Sequence, residues 1–187
     1  DVRPDETVDR TYATKFMAAH YLSWNVTKRW NLGLFESVVW SNQNERGFDM
    51  SFVNPIIFYR SVEFGSSSRS GNALLGLTTK YKFTNQVSFY GQFLLDEFTL
   101  ADMRSGEKSW TNKYGYQLGL KYFNAFDIDN LTLQVEYNNV RPYVYSHSEP
   151  LTNYGHNNQS LGHQWGGNFR EVIGIARYHK GRYFAEA

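Results

Sequence analysis

The chain has 187 residues, enough for one domain or for part of a larger one, and 19 Lys+Arg against 18 Asp+Glu leave a formal net charge of +1. That balance excludes the basic excess of a nucleic-acid binder and the opposite excess of an acidic disordered tail, and the absence of cysteine excludes a disulfide scaffold, a thiolate zinc site and a thiol nucleophile. Aromatic residues make up 18% of a chain whose mean hydropathy is only -0.56, a combination that excludes disorder and points to extended strands.

No apolar run exceeds four residues (Phe16 to Ala19, Ile56 to Tyr59), far short of the ~20 that a transmembrane helix needs. Membrane-barrel strands need only about 9–11 residues with apolar side chains at alternate positions, so that class stays open. Residues 1–11 are polar and contain no signal-peptide core. The first residue is not Met and the last six read as a strand without a turn or cap, so a piece of a longer protein is expected.

In chain order, strands are predicted at about 11–26 and 30–41, joined at Thr27-Lys28-Arg29. Alternation is weak there because His20 and Glu36 interrupt it. Residues 42–72 form one long excursion. Asn54 could cap a helix with Pro55 at its first position and Ile56 to Phe64 following, which suggests a short helical or irregular plug near 52–64, folded into a barrel lumen. Strand 73–83 sets Leu75, Leu77, Tyr81 and Phe83 against Gly76, Thr78, Lys80 and Lys82. After Thr84-Asn85, strand 86–99 sets Val87, Phe89, Phe93 and Leu95 against Gln86, Ser88, Gln92 and Asp96. A long connection, 99–113, leads to strand 114–124, with Tyr114, Tyr116, Leu118, Leu120 and Tyr122 against Gln117 and Lys121. A short turn, Ala125 to Asp129, precedes strand 130–141, with Leu131, Leu133, Val135 and Tyr137 against Thr132, Gln134, Glu136 and Asn138. The long connection 141–168, strand 168–179, the turn Lys180-Gly181 and strand 182–187 complete the chain.

Period-two alternation of this kind means antiparallel strands with one apolar and one polar face. A soluble sandwich would turn the apolar face inward, a membrane barrel outward. Three features favour the barrel: Tyr and Phe at the ends of the apolar faces, long charged and amide groups on the polar faces, and connections that alternate between short and long. The expected fold is therefore all-β. It is an antiparallel up-and-down transmembrane β-barrel in the bacterial outer membrane, with residues 1–187 forming part of a single barrel domain. Leu75, Leu77, Phe89, Phe93, Leu118, Leu120, Leu133 and Val135 should face lipid, and eight strands should not close on themselves.

Several stretches, in order, carry a resemblance: Asn25-Val-Thr-Lys-Arg-Trp-Asn-Leu-Gly-Leu-Phe-Glu36, Arg46-Gly-Phe-Asp49, Asn54-Pro-Ile-Ile-Phe-Tyr-Arg60, Tyr90-Gly-Gln-Phe-Leu-Leu-Asp-Glu-Phe98, Asn112-Lys-Tyr-Gly-Tyr-Gln-Leu-Gly-Leu-Lys-Tyr122, Val140-Arg-Pro-Tyr-Val-Tyr-Ser-His147, Asn153-Tyr-Gly-His156 and Leu161-Gly-His-Gln-Trp-Gly-Gly-Asn-Phe-Arg-Glu171. From about residue 10 onward the chain resembles the Wzi-type capsule-assembly outer-membrane proteins, in the Bacteroidetes branch where some members carry a gliding-motility label. The resemblance implies a barrel larger than eight strands and a role in capsule attachment.

The segment 141–171 concentrates three of the five histidines. The candidate polysaccharide-binding set there is Arg141, Tyr143, Tyr145, His147, Tyr154, His156, His163, Trp165 and Arg170. Rings offer flat apolar faces to sugars, while Arg, His and Asn hold hydroxyls or acidic groups. The plainer reading is an extracellular loop packed on the barrel mouth. The histidines are nine and seven residues apart, which matches no zinc pattern, and no metal or cofactor is expected. Arg60 and Glu63 on the plug, with Asp96 and Glu136 on the lumen face, are expected to pair across the lumen. The mixed signs of Lys80, Lys82, Lys121, Asp96 and Glu136 do not suit an ion-selective pore. No Gly-x-Ser-x-Gly elbow is present, and Ser146 and His147 are sequence neighbours that would point to opposite faces of a strand, so no enzyme is expected. The Asn-x-Ser/Thr sequences at Asn25, Asn130 and Asn158 are treated as chance.

The function read from the sequence is a non-enzymatic outer-membrane protein that binds or assembles surface polysaccharide. Alternatives are a cell-surface adhesion or gliding component with protein partners, and a passive pore. Expected partners are surface polysaccharide, outer-membrane lipid and other outer-membrane proteins, without nucleic acid.

Overall fold

The computed structural model describes residues 14–42, 47–56, 71–96, 113–147, 150–157 and 159–187. Eight long strands run in chain order as one antiparallel sheet: β1 (Lys15–Asn25), β2 (Trp30–Ser41), β3 (Asn72–Lys82), β4 (Val87–Asp96), β5 (Lys113–Phe123), β6 (Leu131–Val140), β9 (Phe169–Lys180) and β10 (Tyr183–Glu186). Two further strands, β7 (Gly155–His156) and β8 (Gln159–Ser160), make a small hairpin between β6 and β9. The sheet is open. Strands β1 and β10 are its two edges and do not pair with each other.

The four short turns lie at one end and the three long connections at the other, as the alternation of short and long predicts. Two of the turns share one device. Thr27 Oγ1 accepts the backbone N–H of Arg29 and Trp30, and Thr84 Oγ1 accepts those of Gln86 and Val87. The Thr hydroxyl satisfies donors that the ladder cannot reach, which fixes each turn and hence the register of its hairpin. The β5–β6 turn uses Asn124 instead, whose Oδ1 accepts from Asn130 N at 2.9 Å.

The register is continuous across the sheet, so each residue's face follows from parity. Leu75, Leu77, Phe89, Phe93, Leu118, Leu120, Leu133 and Val135 all share the apolar face, as expected. They do not converge on a closed core. Leu77, Phe93, Leu118, Leu120 and Val135 are exposed, Val135 at 50%. Near the short turns the same face ends in Trp24, Trp30, Tyr81 and Phe83, with Phe126 beyond.

His20 and Glu36, which disturb the alternation, prove to be direct cross-strand partners on that face, with Nδ1 and Oε1 3.1 Å apart. A polar side chain on an apolar face is tolerated when its neighbour satisfies it.

Of the expected plug near 52–64 only residues 52–56 are described, and Phe52 among them packs on the apolar face, not in a lumen. The described part of 42–72 is a 3-10 turn, Met50–Val53, and it lies over the apolar face at the long-connection end. Phe52 stacks on Trp40 at 4.4 Å beside Val38, and Phe48 completes the cluster with Phe16. The reason is parity: Phe16, Val38 and Trp40 share the face of Leu34 and Leu22, so aromatic burial draws the segment to that side. Asn54 Oδ1 accepts from Ile56 N at 3.1 Å, a bond that an Asx turn and the expected helix cap share. Residues 57–64, including Arg60 and Glu63, lie outside the described residues. Among the described residues the polar face is covered by the connection 141–168, which sits on a core of Leu74, Leu94 and Val140 with Val144 and Tyr145.

Candidate functional site

On the polar face the register lays residues out in rows across the strands. One row reads Thr78, Gln92, Gln117, Asn138 and Glu171 from β3 to β9. The next row toward the short turns reads Lys80, Tyr90, Gly119 and Glu136. Tyr90 reaches across Gly119 to donate its hydroxyl to Glu136 Oε2 at 2.5 Å. Adjacent strands are about 4.8 Å apart, so a β4 side chain meets one on β6 only where the β5 residue between them has none.

Glu136 collects further donors. Gln117 Nε2 and Asn138 Nδ2 each donate to its Oε1 at 2.9 Å, while Gln134 Nε2 donates to the Tyr90 hydroxyl at 2.8 Å. Asn138, almost fully buried, also donates to Glu171 Oε2 at 3.1 Å. Glu171 in turn accepts Trp165 Nε1 at 3.0 Å and faces His163 Nε2 at 3.5 Å. His163 Nδ1 accepts the backbone N–H of Trp165. One network thus runs from the middle of the sheet into the 141–168 connection.

That connection is tied down at several points. Tyr143 and Tyr145 both take left-handed backbone angles, φ 65° and 73°, in the turn that leaves β6. Such angles cost a non-glycine residue about 1–3 kcal/mol. The Tyr145 N–H donates to Asp96 Oδ2 at 2.6 Å, a charge-assisted bond of about 1.5–3 kcal/mol, which is enough to offset one of them. Lys113 Nζ donates to Ser146 O at 2.7 Å, and Tyr154 N donates back to Tyr145 O at 2.8 Å. At the far side Lys15 of β1 donates to the carbonyls of Asn153 and Gly155, so the connection spans the sheet from β6 to its first strand. The Tyr145 ring stacks on Tyr154 and lies against Gly162, where a Cβ would overlap it. Burial pushes the Tyr145 hydroxyl above its ordinary pKa. The nearby Tyr154 and Asp96 add to this, and the His163 N–H opposes it without reversing it.

Between the connection and the sheet lies a cavity of about 360 Å³. Phe35, Leu74, Leu94 and Val140 line the sheet side with the amides of Gln92, Gln117 and Asn138, and Tyr145, Tyr154, Leu161, Gly162 and His163 line the other. Its volume falls in the range of small-ligand sites, which are mostly apolar with a few placed polar groups.

The structure gathers part of the candidate set here and disperses the rest. Tyr145, Tyr154 and His163 line the cavity, and Trp165 joins through Glu171. Tyr145 is only 8% exposed, so its ring supports the connection as well as the cavity. His147 is occupied within the connection, its Nδ1 2.8 Å from Thr152 Oγ1. Tyr143 and His156 are exposed and away from the cavity lining. Arg141 lays its guanidinium over Tyr114 at 5.2 Å, and Arg170 stands opposite Asn139, so both belong to the apolar side of the rim. Among the described contacts Asp96 holds Tyr145, and Glu136 gathers Tyr90, Gln117 and Asn138; their expected pairing with Arg60 and Glu63 falls outside the described residues. Ser146 and His147 lie in irregular backbone, and Ser146 Oγ donates to Tyr143 O.

Glu171, which ends the stretch Leu161 to Glu171, and Asn138, on the polar face of its strand, join the site although neither belongs to the candidate polysaccharide-binding set. Their signal is positional, since polar residues at alternate positions of β6 and β9 share a face, but only the register makes them neighbours. No family model, curated protein or solved structure matches the chain.

Proposed function

We propose that this chain is part of the wall of an outer-membrane β-barrel of the Wzi-type capsule-assembly kind, a non-enzymatic protein that binds or organises surface polysaccharide at its long-connection end. The observation that carries the reading is the division of the two faces. The apolar face exposes Leu, Val and Phe with a Trp/Tyr/Phe band at its short-turn end, as a lipid-facing wall would. The polar face holds a ring- and amide-lined cavity under the connection 141–168. Tyr145 and Tyr154 offer aromatic surface to a sugar ring, and the amides of Gln92, Gln117 and Asn138 offer hydrogen bonds to hydroxyls. Occupation of the polar face by 141–168 also argues against a passive pore.

The test is binding of the full-length protein, folded in detergent, to purified surface polysaccharide from its own organism. Saturable binding that is lost when 141–168 is replaced by a short Gly/Ser linker supports the reading. Unchanged insertion with no polysaccharide binding by the parent protein overturns it.

A further inference from the structure

Two of the three amides that line the cavity donate away from it. The Gln117 and Asn138 amide nitrogens are both spent on Glu136, and the Asn138 nitrogen on Glu171 as well. With both Asn138 N–H groups and one of Gln117 engaged, the Oε1 of Gln117 and the Oδ1 of Asn138 remain acceptors with no donor among the described residues. Gln92, the third amide of the same row, has no hydrogen-bond partner among the described residues and is the one amide free to donate or accept. Among the described residues no Lys or Arg lines the cavity, its one histidine, His163, faces Glu171, and two carboxylates meet at the Asn138 amide nitrogen. Lys121, on the same face, is engaged over the Tyr90 ring and is not part of the lining.

From this we infer that the cavity takes an uncharged, hydroxyl-rich sugar residue and rejects an acidic one. Ligand hydroxyls donate to Gln117 and Asn138, Gln92 completes the row, and the apolar face of the sugar rests on the tyrosine side. A uronate or other anionic sugar would bring its charge toward Glu136 and Glu171 with no Lys or Arg among the described lining residues to receive it and with His163 already facing Glu171, and like charges in a partly desolvated site repel. The inference rests on the polysaccharide reading and narrows it, since a basic rim alone would have suggested an acidic ligand. Arg141 and Arg170, the two arginines of that segment, are instead turned to the other side of the sheet.

The experiment uses oligosaccharides from partial hydrolysis of the organism's own surface polysaccharide, separated by anion exchange into neutral and acidic fractions of matched length. Each is titrated into the full-length protein in detergent and followed by calorimetry, with heat-modifiable gel mobility as the check that each variant is folded. The neutral fraction is expected to bind at least about tenfold more tightly than the acidic one. Gln92→Leu is expected to weaken neutral binding about three- to tenfold, the equivalent of one hydrogen bond. Leu161→Trp, which fills the cavity without touching the sheet network, should abolish it. Glu171→Gln should narrow the gap between the fractions by improving acidic binding. Binding of the acidic fraction alone overturns the inference and leaves the polysaccharide reading standing. Neutral binding that survives both Gln92→Leu and Leu161→Trp also overturns it, because the sugar then sits elsewhere. Failure of both fractions and of the intact polysaccharide overturns the two together.

Discussion

Tyr90 and Gly119 stand directly opposite each other on β4 and β5, and the Tyr90 ring occupies the place that a Cβ on Gly119 would take. Phe35 and Gly76 repeat the arrangement on β2 and β3. In each case an aromatic ring crosses a strand that offers only backbone. For Tyr90 the consequence is chemical as well as steric, because crossing Gly119 delivers its hydroxyl to Glu136.

Gly119→Ala is therefore expected to destabilise the folded protein by about 1–3 kcal/mol through overpacking, and to break the Tyr90–Glu136 bond. Gly174→Ala is the control, since no atom lies within 4 Å of the added methyl and its φ is unexceptional. Urea titration of the detergent-folded protein checks this. Equal midpoints for the two variants would mean that the ring moves aside at no cost.

Charge on the apolar face should cost stability according to depth. Leu118 lies mid-strand between Gly91 and Tyr137, whereas Leu133 pairs with Tyr122 close to the short turn and its aromatic band. Leu118→Arg should cost ~2–4 kcal/mol as a midplane position, and Leu133→Arg less, toward ~0–1 kcal/mol near the interface. Folding into lipid vesicles measures both. No penalty at Leu118 would show that this face does not meet lipid.

Removing the acceptor that holds Tyr145 should loosen the connection before it loosens the sheet. Asp96→Ala is expected to cost about 1.5–3 kcal/mol, and Asp96→Asn to recover part of this through its remaining oxygen. Limited proteolysis should cut within 141–168 faster in Asp96→Ala. Cleavage at the parent rate would mean that the Tyr145 N–H bond does not hold the connection.

The Tyr145 hydroxyl has a pKa raised above its ordinary value of about 10, chiefly by burial. A group raised on folding contributes stability that is present below its unfolded pKa and is lost as pH rises through the folded one. Docking of 141–168 should accordingly hold through neutral pH and weaken only above about pH 10. Tyr145→Phe should lessen that alkaline loss while keeping the stack on Tyr154. Proteolytic sensitivity of the connection across the alkaline range reads it out, and identical profiles for parent and variant would assign the loss to other groups.

Polar/apolar alternation was enough to place β3, β4, β5 and β6 within a few residues, because a half-covered antiparallel sheet forces period two on the chain, whereas β1, β2 and β9 alternate weakly. The short connections between strands likewise located the turns, two of which a Thr hydroxyl fixes through local bonds. The sequence could not announce which polar residues meet. Gln92, Gln117, Asn138 and Glu171 come from four strands, and they form a row only once three separate registers are set. A one-residue slip in any of them would send a member to the other face. The covering of the two faces was decided at the same level. Phe48 and Phe52 follow Trp40 to the apolar side, while Asp96, Lys113 and Lys15 draw 141–168 across the polar side. The bonds that hold 141–168 join residues tens of positions apart, and no local pattern of side chains encodes them.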